Sequence, residues 1–199
     1  MEVVEGVATI EDVDTFVADL REIEESYGAT VQAFDGRYVV GRTHLERAVE
    51  LAERAAERGE TIARDQSVEI LLYAAGRRQI NRAFEMGVSE GECPVVAIAV
   101  GGDETGAARA LSDLLASSET AAVTDESTGT PDTNESAGTP GTDESAGTPG
   151  TDESTGILDT FDEARVREFF DVTERELTAA DASLEDLVCE RVALLVVER

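Results

Sequence analysis

Few side chains in this sequence could carry a reaction, and those few do not gather into a familiar constellation. His44 is the only histidine. It sits in Thr43-His44-Leu45-Glu46, which reads as the capped start of a helix, so a surface or helix-start place is expected for it. Cys93 and Cys189 are the only cysteines. Cys93 precedes Pro94 at the head of an apolar run, and Cys189 lies among Leu187, Val188 and Val192, so both read as small apolar fillers. One His and two Cys make no zinc-type ligand set. No metal and no cofactor is expected, and the chain reads as a non-enzyme.

The turn Gly101-Gly102-Asp103-Glu104-Thr105-Gly106 gets the sharper test, because a glycine turn between strand and helix can offer amide N–H groups to phosphate. It contains neither GxGxxG nor GxxxxGK[ST], and Asp103 and Glu104 would repel an anion where it must dock. It reads as a plain turn. A nucleotide-binding enzyme built on Gly101–Gly106 stands as the alternative.

The arginines are placed more tellingly. Asp and Glu number 44 against 16 basic residues, a net charge of -28, and every basic residue is Arg. Between Arg37 and Arg82 nine Arg meet seven acids, a local net of +2, while the rest of the chain stands at -30. A basic island in an acidic molecule is a candidate polyanion contact. The competing reading is that these Arg balance helix neighbours, as Glu50 and Arg54 would at i,i+4 spacing. Excess carboxylate without lysine also fits a protein kept soluble in molar salt, where exposed charges are screened within roughly 3 Å. In such salt, diffuse attraction to phosphate fails, and an RNA contact needs Arg forks and stacking on unpaired bases. Tyr38, Tyr73 and Phe84 are the nearby aromatics. Tyr73 and Phe84 fall on apolar helix faces and are expected in the core.

The elements that must position these groups are mixed. Val3 to Val7 suggests a strand, and Thr9 with Asp12 resembles a capping box for a helix running to Tyr27 and stopping at Gly28. Thr30 to Phe34 reads as strand, followed by an Asp35-Gly36 turn and the apolar stretch Tyr38 to Val40. Thr43 and Glu46 form a second capping box, and Leu45, Ala48, Val49, Ala52, Ala55 and Ala56 recur at helical spacing up to Gly59. Asp65 or Ser67 opens a buried helix through Val68 to Ala75, and Gly76 to Gly87 forms a shorter one. Pro94 to Val100 is wholly apolar, as expected of a central strand covered on both faces. A helix follows to about Ala116. Later, Phe161 to Phe170 and Ser183 to Val192 read as helices, and Leu194 to Glu198 as a returning strand.

Residues 124–159 stand apart as four nine-residue units, TDESTGTPD, TNESAGTPG, TDESAGTPG and TDESTGILD, with nine acids and no base. With almost nothing apolar to bury, they read as a disordered acidic loop. The expectation is therefore one α/β (α+β mixed) domain, a roughly four-stranded sheet with five or six helices. It is built from residues 1–116 and 157–199 and interrupted by an insertion at 117–156, which costs little because closure entropy grows only with the logarithm of length. No apolar run approaches the roughly 18 residues of a bilayer span, and no signal peptide is evident. A cytoplasmic location is expected.

The stretch RTHLERAVELAERAAERGETIARDQSVEILLYAAGRRQINRAFEMGV, from Arg42 to Val88, with PVVAIAV and the ending LEDLVCERVALLVVE, resembles the small kinase-binding subunit of the KEOPS complex, the TPRKB type. The most specific pieces are the helix start at His44, Val68-Glu69-Ile70-Leu71 and Arg78-Gln79-Ile80. The resemblance implies a non-catalytic regulatory subunit. It would bind and stimulate the complex's small atypical kinase/ATPase and help recruit tRNA by its 3' CCA end, for threonylcarbamoyl transfer to the adenosine beside the anticodon. Kinase and tRNA are then the expected partners, with no membrane and no small-molecule substrate, and Arg64, Arg77, Arg78, Gln79 and Arg82 are the residues expected at the RNA. The acidic repeats depart from the family pattern. A purely structural scaffold would bind the kinase without an RNA role.

Overall fold

Alternation along one apolar strand decides the layering. The computed structural model of the protein describes residues 1–121 and 156–196. Strands β1 (Glu2–Ile10), β2 (Thr30–Asp35) and β3 (Gly91–Val100) form an antiparallel sheet in the order β1-β3-β2. Side chains alternate across a strand, so Cys93, Val95, Ala97 and Ala99 of β3 face one way with Val4, Ala8, Val31 and Ala33. Helices α1 (Val13–Tyr27) and α5 (Glu104–Ala121) close that side through Phe16, Leu20, Leu111 and Leu115. Val96 and Ile98 face the other way with Phe34. Here lies the larger core, made with α2 (Arg42–Arg58), α3 (Gln66–Ala74), α6 (Glu163–Phe169) and α8 (Leu184–Leu194). Both faces of β3 are therefore dry, which explains a run with no polar residue.

Residues on either side of the repeats enter the same core, since Val166, Phe169, Val188 and Val192 join Phe34, Leu45 and Leu72. Burying each such large side chain contributes about 1.5–3 kcal/mol. The chain re-enters at a short 3-10 turn, Ile157–Asp159. Ile157 lies so close over Gly36 that no Cβ would fit there, Leu158 N–H donates to Glu5 Oε2 at 2.9 Å, and Asp162 N–H donates to Arg37 O at 3.0 Å. The expected disordered repeats lie outside the described residues apart from their last few positions.

Several local expectations change. Among the described residues the sheet has three strands, not four. Leu194, expected in a strand, ends α8 instead. Val188, Val192 and Leu195 are all buried at helical spacing behind the Ser183–Asp186 capping box, so the helical period overrides β propensity. Gly36–Tyr38 is a 3-10 turn. The first helix is capped by Asp12, whose side chain accepts from Thr15 N–H, while Thr9 stays in β1. The second starts at Arg42 behind Gly41 with no side-chain cap, so Thr43 is inside it. Gly76 to Gly87 yields only α4 (Ile80–Ala83) and a 3-10 turn, Phe84–Met86. An unforeseen α7 (Glu174–Ala180) has a full capping box from Thr173 and Glu176.

Candidate nucleic-acid and partner interface

Two buried polar side chains build the platform on which the arginines stand. Glu69 is fully buried on α3, and its carboxylate accepts from Ile62 N–H at 2.9 Å and Ala63 N–H at 2.6 Å. It thereby fixes the connection from α2 to α3, and with it the backbone just before Arg64. His44, expected near the surface, is fully buried as well. Its Nε2 lies 2.8 Å from Ala74 O, which requires the tautomer with hydrogen on Nε2. This ties the start of α2 to the end of α3, where Arg77 and Arg78 follow. Burial drives the His44 pKa down from 6.5 to about 4, against the pull of the Ala74 carbonyl. The ring stays neutral and is a framework group.

The five expected RNA residues fall in different places. Arg77 turns inward. Its guanidinium donates to Phe169 O and, at 2.8 Å, to Asp171 Oδ2, and it lies 5.7 Å from the Phe169 ring centroid. It pins the end of α3 to the end of α6. Arg78 is exposed and shares a small cleft with Arg54, Arg58 and Tyr73. Gln79 is exposed and stands at the N-cap of α4 without a side-chain cap bond. Arg82 is exposed and pairs with Glu85 at 3.1 Å. Together with Arg165 and Tyr38 it lines an open groove of about 480 Å³. Arg64 is exposed beside Asp65, the residue that caps α3.

Other members of the island are engaged within their own helix. Arg42 pairs with Glu46 at 2.9 Å, and Arg47 and Arg54 both meet Glu50. Arg37 binds Asp35, whose buried carboxylate holds that guanidinium's pKa above its ordinary value through their hydrogen bonds. The exposed pairs of Arg47, Arg54 and Arg82 are each worth little, so these guanidinium groups can exchange a carboxylate for another anion at small cost.

Tyr73 is buried as expected, but Phe84 is 53 % exposed and Ile80 is 42 % exposed. Four residues of α4 are too few to bring a covering element over both. An aromatic and an aliphatic face therefore stand open beside Arg82. Sequence reading placed Phe84 in the core as a residue on an apolar helix face, but the helix there ends at Ala83 and Phe84 opens a 3-10 turn.

The glycine turn is accounted for by the chain itself. Gly101 N–H donates to Glu104 Oε1 at 2.8 Å, Asp103 N–H to Tyr27 O at 3.0 Å, and Gly106 N–H to Asp103 Oδ1 at 3.0 Å. The backbone of Gly102, at φ +56°, packs against Gly28 O so closely that no side chain would fit. Asp103 N–H is thus spent on joining the start of α5 to the end of α1, and the amides of Gly101 and Gly106 on carboxylates of the turn itself. Among the described residues no group of three or more His, Cys, Asp or Glu could hold a metal ion. Likewise, no described helix is long and apolar enough to cross a membrane.

A family model described as kinase binding protein CGI-121 matches residues 9–195. The chain belongs to that family. The match takes in every helix and both buried polar anchors, and it spans the acidic repeats. No curated protein matches the chain. Membership in the CGI-121 family agrees with the resemblance carried by the stretch from Arg42 to Val88, and it makes this a kinase-binding, regulatory type of protein.

Proposed function

We infer that this chain is a non-catalytic adaptor of a KEOPS-type assembly in the cytoplasm of a salt-loving microbe. It binds the small kinase/ATPase subunit and stimulates it, and it helps seat the single-stranded 3' CCA end of tRNA for threonylcarbamoyl-adenosine formation. The observation that carries this reading is an exposed set, Arg78, Gln79 and Arg82 with the open faces of Ile80 and Phe84, in a member of a kinase-binding family. Guanidinium forks beside an exposed aromatic ring suit an unpaired RNA end in strong salt better than a diffuse charged patch does. Arg64 stands on the connection that Glu69 holds. Arg77 acts by positioning, since it keeps the turn bearing Arg78 against α6.

Reversing both charges, Arg78→Glu with Arg82→Glu, is expected to weaken tRNA binding about tenfold or more at matched salt. The melting temperature should hardly change. Titration with tRNA that has or lacks its 3' CCA completes the test, and equal affinity for the two would end the CCA assignment. Co-purification of the kinase subunit tests the other half. A scaffold would keep that partner yet show no effect of RNA, whereas a nucleotide-using enzyme would melt higher with ATP.

The acidic repeats are, in this reading, an insertion in a single domain. Deleting residues 124–156 is expected to leave the far-ultraviolet circular dichroism of the folded parts unchanged and the unfolding free energy within about 1 kcal/mol of the parent, because loop length enters closure entropy only logarithmically. Loss of cooperative unfolding would refute it.

A further inference from the structure

Strand β2 is an edge strand, and an open groove runs along that edge. Helices α1 and α3 lie on opposite faces of the sheet, and the space between them at the edge measures about 400 Å³. Its walls are apolar, with Val13, Val17 and Leu20 from α1 and Val68 and Leu71 from α3. Its floor is Val31, Gln32 and Ala33, and the exposed ring of Phe84 stands at one end.

In an antiparallel pair, successive residues send their backbone N–H and C=O alternately toward the neighbour strand and away from it. Val31 N–H donates to Glu24 Oε1 at 2.8 Å, and Ala33 C=O accepts from Gln32 Nε2 at 2.7 Å. These two residues therefore aim their backbone groups into the groove rather than at β3. Two side chains stand where an adjacent strand would bond, a common way of blunting an exposed edge.

The mouth is acidic, with Asp14, Glu24 and Asp65 against a single Arg21. Burial holds the Glu24 carboxyl above its ordinary range in spite of the bond from Val31, and the nearby Asp65 pushes it the same way. A cation between these two carboxylates offsets both effects.

We propose that this groove takes an extended segment of a partner protein, added as a fourth strand on the edge of β2, with aliphatic side chains between α1 and α3 and an Arg or Lys set between Glu24 and Asp65. Glu24 then yields Val31 N–H to a partner carbonyl, and Gln32 yields Ala33 C=O to a partner N–H. The chain's own repeats match the groove poorly, since residues 124–159 carry nine acids and no base to set between Glu24 and Asp65. Nucleic-acid phosphate lacks a cation for that place as well.

The test uses the full chain and the backbone amide resonances of Val31 and Ala33. A synthetic hexapeptide of alternating Val and Arg is expected to shift both saturably at moderate fixed salt, and a Val/Glu hexapeptide to leave them still. Methylating alternate peptide nitrogens of the Val/Arg probe should weaken it at least tenfold by removing the strand hydrogen bonds. Glu24→Gln, which keeps an acceptor for Val31, should weaken the probe about three- to tenfold, and Val17→Asp should block it while distant amides stay in place. Equal binding of the methylated peptide, or no movement at Val31 and Ala33, overturns the proposal. Displacement of the peptide by a single-stranded CCA oligonucleotide that shifts the same two amides overturns it too, in favour of a nucleic-acid pocket.

Discussion

Between pH 6.5 and pH 4 the protein is expected to lose roughly 3 kcal/mol of stability that a His44→Leu variant does not lose. The sign follows from burial. In the folded chain His44 takes up its proton only near pH 4, whereas the exposed side chain of the unfolded chain does so near 6.5. Above 6.5 both states are neutral there and the residue adds no pH dependence. As pH falls through the window, the unfolded state binds a proton that the folded state refuses, and the balance shifts toward unfolding. Below about 4 the difference levels off. Carboxylates titrate in the same range, so the quantity to measure is the difference between parent and variant in urea midpoints across pH, at constant salt. Parallel curves would show that His44 is not held neutral.

Glu69→Ala is expected to cost about 2–4 kcal/mol, since it strands the N–H groups of Ile62 and Ala63 that the carboxylate now receives. Glu69→Gln keeps an acceptor and should lose about half as much. The effect should also be local before it is global. Hydrogen exchange at Ile62 and Ala63 should quicken in Glu69→Ala at denaturant-free conditions, and affinity for tRNA should fall because Arg64 follows directly on that backbone. A variant that melts with the parent, with both amides still protected, would show that the connection needs no buried acceptor.

Local signals were legible wherever one element alone decides the outcome. The two-sided run of β3, the stops at Gly28 and Gly59 and the Ser183–Asp186 cap can each be read from a few neighbouring residues, because sterics and side-chain hydrogen bonds act at short range. The failures come from partners distant in sequence. His44 was expected at the surface or helix start because it lies between Thr43 and Glu46, yet its place is set by a carbonyl 30 residues on. Glu69 stood out only as part of Val68-Glu69-Ile70-Leu71, and nothing near it announced that the preceding connection would fold back onto its carboxylate. Arg77 looked equivalent to Arg78, and nothing near it in the sequence showed that it would donate to Asp171, 94 residues away. Of the candidate site, the clustering of Arg between Arg37 and Arg82 was readable from the sequence, but the division into outward and inward arginines was not. That division depends on which helix ends meet.

The seat of Ile157 over Gly36 has a consequence for how this lineage can vary. The polypeptide is fastened before its nine-residue units by the docked face of α5 and again within the fourth unit by Ile157 and Leu158, so both ends of the segment that carries the repeats are fixed posts. With the ends fixed, closure entropy predicts that one unit more or fewer changes stability by only a fraction of a kcal/mol, so variants with a unit added or removed are expected to differ in net charge while unfolding at about the same midpoint.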